Sequence, residues 1–140
     1  IAQSEFIQKI RAEKIVYAVK FVTAELLDVL IQASDNVFDI RVLEAVDCTF
    51  TIDTRRFVQK ILKGKGCKKL CLSGFPPISL RDAEKLLEDF SNSNDILLFS
   101  ARIDADPFDI HVGNYRVIAS GWRPIETLIT IHHLEASNLN

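Results

Sequence analysis

The side chains able to do chemistry are scattered along this chain, and their spacing limits what each can do. Cys67 and Cys71 stand four apart, and His132-His133 supply two imidazoles. Structural zinc sites favour tighter paired spacings such as C-x2-C. Cys71 also lies between Leu70 and Leu72 in a run that alternates like a strand. Adjacent histidines on a strand point to opposite faces, so only one could join a given site. These residues are read as packing cysteines and ordinary histidines, and no metal or cofactor is expected. Ser73-Gly74 lacks the G-x-S-x-G elbow of a nucleophilic serine. Asp104 and Asp106 could share one side of an extended segment and, with His111, serve a small α/β enzyme as acid and base. A Pro-terminated acidic loop is ordinarily just solvated, so no catalytic residue is assigned and the enzyme reading ranks third. Gly64-Lys65-Gly66 follows a helical pattern instead of opening one, which makes it a helix terminus and not a phosphate loop.

Charge is distributed unevenly although the net value is only −2. From Thr54 to Leu80 there is no acidic residue, while Arg55, Arg56, Lys60, Lys63, Lys65, Lys68 and Lys69 crowd the first half. Such a cluster could neutralise several phosphates, with strongly salt-dependent binding. No aromatic residues are interleaved with it for base stacking. A solvated helix face is the ordinary reading, and a nucleic-acid or acidic ligand held by Arg55, Arg56, Lys60, Lys63, Lys65 and Lys68 is the alternative. From Asp82 to Asp109 acid dominates, eight carboxylates against Lys85 and Arg102.

The elements that would position these groups follow from periodicity. Apolar residues make up 48% and charged residues 26% of 140 residues, enough for one packed domain and against extended disorder. Ser4 can cap a short helix reaching about Lys14, and Ile15–Phe21 has strand composition. Thr23 reads as an N-cap, followed by an apolar stripe of Leu26, Leu27, Leu30 and Ala33. A second strand is expected over Val37–Val46, then a helix over Asp53–Lys63 ended by Gly64 or Gly66 in the left-handed conformation. Lys69–Ser73 is a third strand. Pro76-Pro77 forces an extended turn, and Ser79 with Asp82 starts the helix bearing Ala83, Leu86, Leu87 and Phe90. Asp95–Ile103 is a fourth strand. After it, FDIHV and YRVIA flank Gly113-Asn114 as a two-residue hairpin, GWRP (Gly121–Pro124) reads as a loop, and Thr127–Leu134 is the last strand.

The segments RVLEAVDCTFTIDTRRFVQKIL and KKLCLSGFPPISLRDAEKLL align with Leu43 on Leu70 and Ala45 on Leu72, a repeat of about 26–28 residues. They resemble degenerate leucine-rich repeats of the helix-containing type over Arg41–Ile103. Neither copy has Asn at the usual corner position, where Cys48 fits one and Phe75 replaces it in the other. With the later hairpin, the pattern also resembles, more faintly, the substrate-recognition regions of nematode F-box proteins, although no F-box lies in this chain. The repeat resemblance implies an α/β fold, a short stack of parallel strand–helix units over about 15–103, closed by a C-terminal hairpin and strand over 104–140. One mixed sheet with helices on a single face is the alternative architecture. A single domain cut from a longer protein is expected.

What the resemblance implies in turn is a protein–protein interaction module, the recognition part of an adaptor, and not an enzyme. Residues alternating with the buried strand positions would line the exposed face: Arg41, Glu44, Val46, Lys69, Cys71, Ser73, Leu98 and Ser100. The expected partner-binding set is Glu44, Lys69, Cys71 and Ser73, with Trp122 as an aromatic anchor or, equally, a lid on the open end of the core. The three unpaired-looking cysteines, Cys48, Cys67 and Cys71, point to a reducing compartment, cytoplasm or nucleus. No run is long and apolar enough for a membrane helix, so no membrane contact is expected. Nothing in the sequence assigns an oligomeric state.

Overall fold

Alternation of buried with half-buried residues marks the central strands of this chain. The computed structural model describes residues 14–17, 21–43, 47–48, 52–64, 66–93, 96–123 and 126–135. In chain order these form β1 (Lys14–Tyr17), β2 (Phe21–Val22), α1 (Ala24–Ala33), β3 (Asp39–Val42), β4 (Asp47–Cys48) and α2 (Thr54–Lys63). There follow β5 (Lys69–Leu72), β6 (Ile78–Ser79), α3 (Leu80–Ser93), β7 (Leu98–Asp104), β8 (Phe108–Val112), β9 (Tyr115–Arg123) and β10 (Glu126–His133).

The main sheet is mixed and runs β1-β3-β5-β7-β10-β9-β8, with β6 paired to the end of β7. Its first four strands are parallel neighbours in chain order. β10, β9 and β8 continue it antiparallel. β2 and β4 make a separate short parallel pair.

Helices take over where the period changes, and their starts are capped as the side chains dictate. Thr23 Oγ1 accepts the Leu26 amide at 3.1 Å, Asp53 Oδ1 the Arg56 amide at 3.1 Å and Ser79 Oγ the Asp82 amide at 3.1 Å. Each satisfies a donor that the first turn leaves unpaired. The buried stripe of every helix joins one core: Val29, Leu30 and Ala33 of α1, Phe57, Val58 and Ile61 of α2, and Ala83, Leu86 and Phe90 of α3. In-register strand residues meet them from below, Ile40–Leu70–Phe99–Ile131–Val117 in one row and Val42 and Leu72–Ala101–Ile129–Ala119 in the next. All three helices therefore lie on one face of the sheet. Each fully buried large aliphatic or aromatic side chain contributes about 1.5–3 kcal/mol, so this row structure carries the stability.

Three expectations shift against this frame. The pairs Ile40↔Leu70 and Leu70↔Phe99 set the repeat at 30 and 29 residues, and it is Ile40, not Leu43, that matches Leu70. The strict alternation is in Asp39–Val42, whereas Leu43 and Ala45 of the R-V-L-E-A-V run fall out of phase with Ile40 and Val42. Glu44–Val46, the segment before Lys14 where a helix is expected, and Lys65 lie outside the described residues. The helix-ending glycines are not left-handed: Gly64 is αR with φ −71°, and Gly113 at φ 56° is the described glycine with positive φ. Gly64 and Gly66 are instead needed for room, because a Cβ on either would overlap Ser34 or the Ser34–Asp35 backbone. Finally, Gly121–Arg123 belong to β9 and not to a loop, with an irregular register where Glu126 pairs Arg123 and Thr127 pairs Gly121.

Candidate partner-binding face of the sheet

Because side chains alternate, the residues between the core positions all emerge on the side of the sheet away from the helices. They form two in-register rows. One runs Asp39–Lys69–Leu98–His132–Arg116–His111, the other Arg41–Cys71–Ser100–Thr130–Ile118–Asp109. No described helix packs on this face. Its side chains are mostly half-buried by their own neighbours, as on an open sheet, and mix charge, hydroxyl, thiol and aliphatic surface.

Local contacts hold several of these groups in place. Arg41 Nε donates to Asp39 Oδ1 at 3.2 Å, and Nη2 to Oδ2 at 3.2 Å. The hydrogen bond to Asp39 raises the Arg41 pKa above its usual value, against the opposing effect of desolvation. Asp39 is not among the residues expected on this face; its place two before Arg41 on one strand face was the available clue. Lys69 Nζ sits 5.8 Å from the Phe38 ring centroid, within cation–π range. A small cavity of 80 Å³ opens among Asp39, Arg41, Lys69, Cys71, Leu98 and Ser100.

The expected partner-binding residues separate on inspection. Lys69 and Cys71 lie on the open face, with Arg41, Leu98 and Ser100 beside them. Ser73 is 4% exposed. Its hydroxyl donates to the Leu43 carbonyl at 3.4 Å and lies 3.6 Å from the Cys71 sulfur, so it secures the turn after β5. Glu44 lies outside the described residues, as does the Trp122 side chain, although the Trp122 backbone is in β9. Cys67 points into the core, where burial pushes its thiol pKa up to about 12, and it donates to the Lys69 carbonyl at 3.3 Å.

The basic residues also divide. Arg55 is taken by Asp89 of α3, Nε to Oδ2 at 3.0 Å and Nη2 to Oδ1 at 3.1 Å. Arg56, Lys60 and Lys63 are exposed on α2, and the first two line a 390 Å³ groove between α1 and α2 that also holds Asp28 and Asp53. Lys68 and Lys69 belong to the β5 side, and Lys65 is outside the described residues. The predicted seven-residue cluster is therefore a three-cation helix face among the described residues.

The residues weighed for catalysis do not converge. Asp104 and Asp106 flank a 620 Å³ cleft with Arg102, Glu126 and Pro77, while His111 is on β8 at the sheet's edge. Arg102 is committed there: Nη2 and Nε donate to the Phe75 carbonyl at 2.7 and 3.1 Å, and Nη1 meets Glu126 Oε1 at 3.3 Å. Cys71 and His132 share the open face but stand two strands apart, and Cys67 and His133 are in the core. Among the described residues no group of three His, Cys, Asp or Glu is placed to hold a metal, and no helix is long and apolar enough to cross a membrane. Compared with known proteins, the chain matches no family model, no curated protein and no solved structure.

Proposed function

We propose that the chain is a recognition scaffold: a degenerate leucine-rich-repeat-like stack, β1, β3, β5 and β7 with α1–α3, whose sheet face opposite α1–α3 binds another protein. The observation that supports this is the open face itself. Its two rows of side chains cross six strands in register, fixed by a rigid helix-backed sheet, with Lys69, Cys71 and Ser100 near the centre. A flat surface of mixed polarity suits a macromolecular partner better than an enclosed small-molecule site. An adaptor's recognition part, in an intracellular setting, is the role consistent with the F-box-like resemblance.

The test is affinity purification with the wild-type chain and with Lys69→Glu and Ser100→Arg variants that keep the wild-type melting temperature. The proposal expects a set of proteins captured by the wild type and lost by both variants. Equal capture by all three overturns it. A second reading rests on the exposed Arg56, Lys60 and Lys63, which present three positive charges along one helix to an anionic ligand, nucleic acid included.

A further inference from the structure

The last strand of the sheet, β8, ends the order β1-β3-β5-β7-β10-β9-β8, so one edge of its backbone faces outward. Among the described residues nothing pairs with that edge. We propose that it pairs with β8 of a second copy of this chain, antiparallel, about a two-fold axis at Ile110.

Backbone direction comes first. Gly113-Asn114 is a two-residue turn between Val112 and Tyr115, which oppose each other. In such a hairpin the residues flanking the turn exchange hydrogen bonds, and bonded and non-bonded pairs alternate from there. Val112, Ile110 and Phe108 therefore spend their N–H and C=O groups on β9. Asp109 and His111 turn theirs outward. A second β8 can bond this edge only where its own Asp109 and His111 face those of the first.

Side-chain types then select one register. β8 reads Phe-Asp-Ile-His-Val, apolar, acid, apolar, base, apolar, and in the reverse direction acid and base exchange places while the apolar positions stay apolar. Centring on Asp109 opposes two carboxylates, and centring on His111 opposes two imidazoles, which places like groups together. Centring between residues sets an outward backbone group against an inward one. Centring on Ile110 places each Asp109 opposite the other copy's His111, as two hydrogen-bonded pairs with four backbone bonds. On the helix side Phe108 then meets Val112 and Ile110 meets Ile110. Asp109 already accepts Arg116 Nη2 at 2.8 Å and Nε at 3.2 Å, and a carboxylate retains lone pairs for an imidazole N–H as well.

Exposure agrees with this register. Ile110 is 48% and Val112 39% exposed, and Leu80 across the adjoining groove is 45% exposed. That groove, 250 Å³ between α3 and β8, is lined by Leu80, Ala83, Leu87, Phe108 and Ile110 among others. β8 carries none of the usual edge protection by Lys, internal Pro or bulge. The two-fold axis stands perpendicular to the sheet, so the faces opposite α1–α3 of both copies end on the same side. The pairing is independent of whether that face binds a protein.

A single short strand pair covers a small area, so a transient dimer is expected, measurable by sedimentation equilibrium up to roughly 100 µM and beyond. Wild type should show reversible monomer–dimer behaviour, with amide exchange at Asp109 and His111 slowing as concentration rises. Ile110→Lys, at a position already exposed in the monomer, should raise the dissociation constant at least tenfold with an unchanged circular dichroism spectrum. His111→Asp should do the same by opposing two carboxylates. Asp109→His combined with His111→Asp should recover association, because the opposite types face again and the moved carboxylate lies beside Arg116. A monomer at every concentration overturns the proposal, as does association indifferent to Ile110→Lys. Weakening by His111→Asp without recovery in the double variant overturns the register.

Discussion

Arg55 of α2 grips Asp89 of α3 through two parallel hydrogen bonds of 3.0 and 3.1 Å, tying neighbouring helices together across the solvent side. Gln59 Nε2 adds a longer contact to the same carboxylate at 3.4 Å. The bond to Asp89 raises the Arg55 pKa above its already high ordinary value. A residue that stands first in the basic cluster by sequence is thereby spent on the fold.

Polyanion binding should therefore depend on Arg56 and Lys60 and not on Arg55. On immobilised heparin, Arg56→Glu with Lys60→Glu should lower the eluting salt concentration markedly. Arg55→Ala should leave it near the wild-type value and show its effect as a small drop in melting temperature. Equal losses for both would remove the distinction.

Tyr115 fastens the end of α3 to the sheet. Its hydroxyl lies 3.1 Å from the Phe90 carbonyl and 3.3 Å from the Ile96 carbonyl, and its ring meets His133 edge-on at 4.9 Å. Tyr115→Phe keeps the ring and strips the donor from two carbonyls. Urea unfolding should show a loss of about 1–2 kcal/mol with an unchanged m-value.

Cys67 should make the protein sensitive to alkali. Its thiol titrates at about 12 when folded, against an ordinary value of 9.0, because burial disfavours the thiolate. Below pH 9 the thiol is protonated in both states and its stabilising effect is fully present. As pH rises through that value the unfolded chain loses the proton and the folded chain does not, so stability falls toward pH 12, in total by up to about 4 kcal/mol. Cys67→Ala should flatten the decline in melting temperature between pH 8.5 and 10.5 while lowering it at neutral pH. Under native conditions peptide-resolved alkylation should label Cys71, which is half-exposed, well before Cys67.

Gly66 should tolerate no side chain. A Cβ there would strike the Asp35 carbonyl and the Ser34 carbonyl, both backbone atoms that cannot swing aside. Gly66→Ala should cost about 1–3 kcal/mol in denaturant unfolding. A neutral result would mean that the loop after α1 shifts freely.

Much of this arrangement was legible because period and capping speak locally. Thr23 and Ser79 mark their helices by oxygen atoms that reach the next turn, and Gly113-Asn114 marks its hairpin, while Asp53, expected as the first helical residue, is the cap of α2. Alternation in Lys69–Leu72 already placed Cys71 away from Leu70 and Leu72. What it could not reveal was long-range partnership. Nothing near Arg55 announces Asp89, and nothing near Arg102 announces the Phe75 carbonyl, because those contacts form only when separate helices or strands meet. The inward turn of Ser73 has the same origin, since its acceptor belongs to the preceding strand–helix unit. The alignment of Leu43 on Leu70 failed because Leu43 and Ala45, out of phase with Ile40 and Val42, imitate a strand face as well as the true one does.

The place of β10 between β7 and β9 bears on how the molecule is made. A ribosome delivers β7, then β8 and β9, and only afterwards the strand that joins them. Until Glu126–His133 leaves the exit tunnel, the hairpin has no neighbour to rest on, and the flank of β7 is an unfilled slot open to any passing strand. Translation that stalls before that point would release a chain with its parallel strands paired and the β8–β9 hairpin adrift, a form that chaperones must shield and proteases would find first.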